Sequence, residues 1–361
     1  MTVVIDSFDT AGPGDVDGLT AALHRHEAAT IRRLALVVKT EGSAQIDDFS
    51  REYAAYQARE VVTRHGGTAL LDRTVFLHST GCEGAMTPFG YLMADLEPGP
   101  ALVDEPAGPA LALGVGRSRP IPGPLIGTVA HAELVEQAVR DAMADAGLTA
   151  DAVELAVVKT PLVSHDPPAP DAPPARVTSA YAKAVGALGS AVALGEVARE
   201  RVVPAAFGAE LDLYSRRTMV FSSSEAAAVE VLVLGNRAGA TGSLRIASGL
   251  LADVLDADGV RRVLAAAGAE LAGGRVADPS RVAALLVKAG YRHDGALRGA
   301  RTTVHTSRID ADTHTRATMS GVAGSVLGTG RMFISANSVH QAPDGGGLCV
   351  AIVGPAAPEG A

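Results

Sequence analysis

The sequence predicts an α/β protein built from three related domains. Three observations predict it: an apolar run ending in lysine occurs three times, an apolar run leading into serine follows each one, and a helical pattern precedes each. One such pairing can arise by chance, whereas three in the same order point to a repeated unit. Three units in a chain of 361 residues can close around a pseudo-threefold axis.

The lysine runs are residues 34–40 (LALVVKT), 155–160 (LAVVKT) and 285–289 (LLVKA), rich in Val and Leu and of strand length. Lys39, Lys159 and Lys288 thus recur at roughly 120 to 130 residues, a domain-sized interval. Helices are expected at 18–30, 131–147 and 256–268, where apolar residues recur at helical spacing; Asp256 or Asp258 can cap the start of the third and Gly268 its end. The serine runs are residues 75–79, 219–224 and 332–335. Pro- and Gly-rich stretches at 97–109 and 235–242 read as linkers and give domains 1–104, 105–238 and 239–361. Residues 165–175 (HDPPAPDAPPA) read as an exposed, partly polyproline insertion within the second domain, and the tail 354–361 is expected to fray.

Hydrophobic residues make up 47% of the chain, aromatics only 4%, and Trp is absent. The core must therefore pack Val, Leu, Ile and Ala, as layered α/β proteins do. The net charge of −9, with acids and bases mixed and no basic stripe, argues against nucleic-acid binding. No apolar run reaches the ~18 residues needed to span a bilayer. Residues 1–6 lack the basic and apolar segments of a signal peptide. Cys82 and Cys349 stand far apart and support neither a disulfide framework nor a cysteine zinc site. A soluble cytoplasmic protein is the expectation.

Closure around an axis would bring one Lys and one Ser from each domain to a common centre, a geometry suited to a small ring with polar groups on three edges. Clustered, buried lysines disfavour one another's charge, so their pKa values should fall towards neutrality. A neutral lysine beside a serine can take the hydroxyl proton and make the serine a nucleophile. Backbone N–H groups near the other serines can hold an oxyanion. Taken singly, a Lys ending a strand is more often a solvated edge residue, and a Ser after a strand a turn former. Repetition lifts these residues above that baseline.

At these residues the chain resembles the ring-opening amidohydrolases, the family of cyanuric acid hydrolase and barbiturase. The resemblance is carried by Val38-Lys39-Thr40-Glu41-Gly42 followed by Arg51-Glu52-Tyr53-Ala54, by the segment from Ser79 to Gly84, by Val158-Lys159-Thr160-Pro161-Leu162, and by His340-Gln341 leading to Gly345-Gly346-Gly347. It covers nearly the whole chain. It implies three similar α/β domains around a pseudo-threefold axis (the Toblerone fold) and a homotetramer. It also implies one Lys, one Ser and one Arg per domain at the site. The lysines match Lys39, Lys159 and Lys288; the serines match Ser79, Ser222 or its neighbour Ser223, and Ser335; the arginines match Arg51 and Arg316.

The departures from the family pattern are specific. Val185 stands where the second-domain arginine is expected, with Lys183 close by. The segment Ser222-Ser223-Ser224-Glu225 is one residue short, which leaves Ser222 and Ser223 both open as the nucleophile. Thr80 and Ala336 follow Ser79 and Ser335 where glycine is usual, which should reshape the pocket. The family's structural divalent cation has a Glu two residues after the third-domain Lys. Gly290 stands there, so the strongest anionic ligand is gone and no cofactor is expected; that cation is the one exception the resemblance leaves open.

The resemblance thus implies a hydrolase acting on carbon–nitrogen bonds of cyclic amides through a Ser-Lys dyad. In the expected mechanism neutral Lys159 deprotonates Ser222, and the serine oxygen attacks a ring carbonyl. N–H groups near Ser79 and Ser335, with Arg51 and Arg316, orient the other carbonyls; Lys39, Lys288, Thr80 and Ala336 complete the substrate-binding set. Because Val185 breaks the threefold set, a less symmetric cyclic imide, ureide or amide is expected rather than cyanuric acid. The competing reading is a non-catalytic binding protein for a small cyclic metabolite. A dinucleotide loop at Gly12–Gly18 is disfavoured, because its third glycine comes one residue late and Pro13 stiffens the turn. His24 and His26, two apart on an expected helix, face different sides and form no metal site. Cys82 reads as a core thiol, and Glu83 as a partner of a site lysine or a surface acid.

Overall fold

The computed structural model describes residues 2–43, 47–97, 108–164 and 176–355. The first third of the chain forms β1 (Thr2–Asp9), α1 (Asp17–Leu23), β2 (Ile31–Thr40), α2 (Ser50–Leu71), β3 (Thr74–Thr80) and β4 (Phe89–Leu96). The second forms β5 (Ala110–Arg117), α3 (Val129–Ala146), β6 (Val153–Pro161), α4 (Ser179–Ala193), β7 (Thr218–Ser223) and β8 (Glu230–Arg237). The last forms β9 (Arg245–Leu251), α5 (Ala257–Ala266), a small hairpin of β10 (Leu271–Ala272) and β11 (Arg275–Val276), and β12 (Val282–Ala289). It continues through a second hairpin of β13 (Ala296–Leu297) and β14 (Ala300–Arg301), then α6 (Ala311–Leu327), β15 (Phe333–Ala336) and β16 (Gly347–Val353).

Each third contributes one four-stranded sheet, and the three sheets share one topology: β1-β4-β2-β3, β5-β8-β6-β7 and β9-β16-β12-β15. In each, the lysine strand runs parallel to the serine strand, and the other pairings are antiparallel. Parallel neighbours need a crossover, which α2, α4 and α6 supply.

Successive side chains of a strand point to opposite faces. On the inner faces, Val37, Leu77, Val157, Phe221, Leu286 and Phe333 join one shared core between the three sheets. On the outer faces, helices cover the sheets, as where Leu36 packs with Val61 and Val62, and Val158 with Val139. Burial on both faces explains why these strands read as near-continuous apolar runs. The outer edges of β3 and β7 are covered by the next unit: Phe76 N–H donates to Glu230 Oε2 at 2.6 Å, and Val220 N–H to Gln341 Oε1 at 2.7 Å.

The expected helices at 131–147 and 256–268 coincide closely with α3 and α5. The one at 18–30 ends at Leu23, because His26 turns back to bond Asp6 Oδ2 at 2.6 Å and a 3-10 turn at Ala28–Thr30 leads straight into β2. Helices α2, α4 and α6 have no counterpart in the periodicity. Helix α4 is buried on nearly every side and so has no polar stripe, and α2 is broken at Gly67, where φ is 67°. The insertion at 165–175, the first domain boundary at 104 and most of the expected frayed tail lie outside the described residues. Among the described residues, no helix is long and apolar enough to cross a membrane.

Candidate active site

Lys39, Lys159 and Lys288 project from the three lysine strands towards the shared axis, and all three are almost wholly buried. Lys39 Nζ donates to Thr80 O at 2.7 Å and to Ser79 Oγ at 3.3 Å. Lys288 Nζ donates to Ser335 Oγ at 3.0 Å and, across to the second unit, to Val220 O at 2.9 Å. Lys159 Nζ crosses to the first unit, donating to His78 O at 2.6 Å, and pairs with Glu225 Oε1 at 2.6 Å. Strand pairing explains the two Lys–Ser contacts: Lys39 lies opposite Ser79, and Lys288 opposite Ser335.

The second unit differs. Lys159 lies opposite Phe221, and Ser222 lies opposite Thr160. Alternation therefore turns Ser222 away from the axis, where its Oγ meets Ser179 Oγ at 2.6 Å near the start of α4. Thr160 shares that outer face, its Oγ1 lying 2.7 Å from His131 Nε2. The expected proton transfer from Ser222 to Lys159 is thus not set up in this arrangement. Ser223 is fully buried and accepts the Ala226 N–H, as a turn former does.

A second ring of cations reaches in from the crossover helices, each crossing to the next unit. Arg51 Nη1 donates to Ser222 O at 3.3 Å, and its Nε pairs with Glu225 at 2.9 Å. Lys183 Nζ donates to Ala336 O at 3.3 Å and pairs loosely with Asp312 at 3.5 Å. Arg316 pairs with Glu83, Nη2 to Oε1 being 2.7 Å. Ser222 O follows Phe221 as Ala336 O follows Ser335, so Lys183 stands where an arginine was expected. Val185 is buried in the apolar packing of α4 and does not face the ring. Gly81 has φ 89°, and a Cβ there would lie 2.6 Å from Arg316 Nε, so the close approach requires glycine.

Burial is the main cause lowering the Lys39 amine to about 7, with Arg316 adding to it and Cys82 and Glu83 opposing. Burial, with Lys183 beside it, holds Lys288 well below the ordinary lysine range. Burial lowers Lys159 only to about 8, because Glu225 offsets much of it. Burial alone would raise Glu225, but Lys159 and Arg51 outweigh it and bring the carboxyl to about 2. Near neutral pH, Lys159 and Glu225 form an ion pair while Lys39 sits close to half-protonation. Of Lys39 and Lys159, Lys39 is the one poised to exchange a proton with a serine, and it has Ser79 Oγ at 3.3 Å.

Gly290 offers no side-chain oxygen to a cation; a Cβ at this position would meet Ser338 Oγ at 2.5 Å, and that hydroxyl donates to Gly346 O. Among the described residues, no group of three or more His, Cys, Asp or Glu side chains is arranged to hold a metal. A cleft of 410 Å³ lies beside the ring, bounded by Tyr181, Asp312, Thr315, Asn337 and His340, and a smaller one of 190 Å³ opens onto Lys159 and Glu225. The sequence reading missed Phe221, Glu225 and Asp312 as site residues. A usable signal existed, since Glu83 and Glu225 each come four residues after the position opposite a lysine.

A family model described as an amidohydrolase ring-opening protein matches residues 4–354. A cyclic amide hydrolase from Azorhizobium caulinodans is 34% identical over 368 residues, covering 98% of this chain and 100% of its own length. A cyanuric acid amidohydrolase from the same organism is 36% identical over 350 residues, covering 94% of each chain. The solved structure of cyanuric acid hydrolase from A. caulinodans matches with a TM-score of 0.85 at 31% identity, covering 98% of this chain and 99% of that one. A second cyanuric acid hydrolase structure matches with a TM-score of 0.88 at 28% identity and the same coverage.

Proposed function

Because the chain belongs to the ring-opening amidohydrolase family, we propose that it opens a small cyclic imide, ureide or amide ring, with Ser79 as nucleophile and Lys39 as its base. The observation that carries this reading is the buried Lys39 amine, lowered to about 7 and 3.3 Å from Ser79 Oγ within a ring of cations. In this scheme neutral Lys39 takes the Ser79 hydroxyl proton as the oxygen bonds to a ring carbonyl carbon. The carbonyl becomes an oxyanion, which the surrounding cations stabilise. On collapse the ring C–N bond breaks and the nitrogen leaves with the proton held on Lys39. Water then attacks the ester with Lys39 again as base, releasing a linear acid and regenerating Ser79. Lys159, kept charged by Glu225, serves as a fixed positive group together with Arg51, Lys183 and Arg316.

Lys288 with Ser335 forms a second such pair at 3.0 Å, its amine also lowered by burial, and Ser335→Ala assayed beside Ser79→Ala tells the two pairs apart. The test is incubation of purified protein with a panel of cyclic amides, imides and ureides, scored by mass spectrometry for addition of one water. Turnover that survives Ser79→Ala undiminished would sink the assignment. Saturable binding of a ring without water addition would favour the binding-protein reading, which the loss of the third serine from the ring also accommodates. The homotetramer belongs to the same proposal. Its support is an exposed aromatic stripe of Phe49, Tyr53 and Tyr56 at the start of α2, and light scattering checks it.

A further inference from the structure

We propose that Phe221 is the specificity-determining residue of this site, and that it selects six-membered rings with carbonyls at two alternate positions and a methylene at the third. The inference rests on the ring-opening reading for the location of the site, and three independent relationships place Phe221 in it. In the parallel pairs, Phe221 lies opposite Lys159 as Ser79 lies opposite Lys39 and Ser335 opposite Lys288. The crossing amines agree: Lys159 bonds His78 O, one residue before Ser79, and Lys288 bonds Val220 O, one residue before Phe221. The outer cations agree as well, since Arg51 and Lys183 bond the carbonyls one residue after Phe221 and one after Ser335.

Two of the three equivalent positions therefore present a hydroxyl, and the third presents a benzyl group. The Phe221 ring is buried against Phe333, centroids 5.0 Å apart, and Lys288 Nζ lies 5.5 Å from its centroid. A ring carbonyl turned to this position would lose its water and gain no donor from the side chain, whereas a methylene loses nothing there. Glutarimide and dihydrouracil carry two carbonyls and one methylene at alternate ring atoms. Cyanuric acid and barbituric acid carry three carbonyls at those atoms. The polar edges of the first pair can face Ser79 and Ser335 while the hydrocarbon edge faces Phe221.

The experiment compares binding of glutarimide, dihydrouracil, cyanuric acid and barbituric acid by calorimetry, for the natural chain and for Phe221→Ser, with water addition followed by mass spectrometry. The natural chain should prefer the methylene-edged rings by roughly tenfold or more, and Phe221→Ser should lose or reverse that preference. An unchanged preference in a folded Phe221→Ser protein overturns the inference. If that variant does not fold, the natural chain decides alone: binding cyanuric acid as tightly as glutarimide overturns the inference, and the tenfold preference upholds it. Selective binding without added water leaves the inference standing and removes the hydrolase reading. Efficient opening of cyanuric acid does the reverse.

Discussion

Lys183 Nζ lies 3.3 Å from Ala336 O, occupying in the second unit the place that Arg51 occupies in the first, 3.3 Å from Ser222 O. The substitution of ammonium for guanidinium keeps the charge but gives up the planar fork that holds two acceptors at once. Lys183 also helps hold the charge off Lys39 and Lys288.

Lys183→Met should lower kcat/KM by roughly tenfold to a hundredfold, the worth of one charge-assisted hydrogen bond. It should also move the ascending, acid-side limb of the rate profile to higher pH, because removing a nearby cation makes Lys39 easier to protonate. Lys183→Arg should restore kcat/KM. Steady-state kinetics across pH on the three proteins checks both effects.

Ser79→Ala should lower kcat by about 10³-fold or more while leaving ligand binding within a few-fold, as expected when a nucleophile alone is removed. Ser222→Ala should keep most of its turnover, because that hydroxyl faces Ser179 rather than Lys159. Single-turnover assays of the two variants side by side discriminate between the serines.

The pH dependence follows from two amines of opposite duty. Lys39 must be neutral to accept a proton, so kcat/KM should rise as pH passes upward through about 7. Lys159 must stay charged, so the rate should fall again above about 8. A narrow bell is expected, and Lys39→Met should abolish it along with activity. A profile flat from pH 6 to 9 in a functional protein would contradict both assignments.

Glu225→Gln leaves Lys159 and Arg51 with an uncompensated buried charge, a change that costs about 3 kcal/mol. The folded carboxyl value of about 2 lies below the ordinary 4.5, so its contribution is complete above 4.5 and is lost as pH falls towards about 2. Urea denaturation of the natural chain and the variant should therefore differ most at neutral pH and converge in acid.

The sequence made the scaffold legible where the same physics recurred three times. Lys39, Lys159 and Lys288 each end a strand that must be buried on both faces, so apolar runs flagged them all. Reading the site failed where one residue of register decided the outcome. Three consecutive serines at 222–224 offered a false anchor, and alternation along β7 then put the wrong side chain on the axis. Glu225 would have served better, because its spacing from Phe221 repeats that of Glu83 from Ser79. From sequence Lys183 reads only as a neighbour of Val185, because α4 is enclosed on nearly every side: periodicity reveals which face of a helix is wet, and this one has almost none. Its partner, Ala336 O, belongs to another unit, and no local pattern encodes that meeting.

The N–H groups of Phe76 and Val220, each answered by a side chain from the next unit, have a consequence for how the chain holds together. Neither of the first two thirds is self-sufficient. Excised, it would expose a bare strand margin that recruits a sister copy into an extended aggregate. Melting should accordingly proceed as a single calorimetric event rather than three, since releasing one third strips its neighbour of both apolar backing and edge protection.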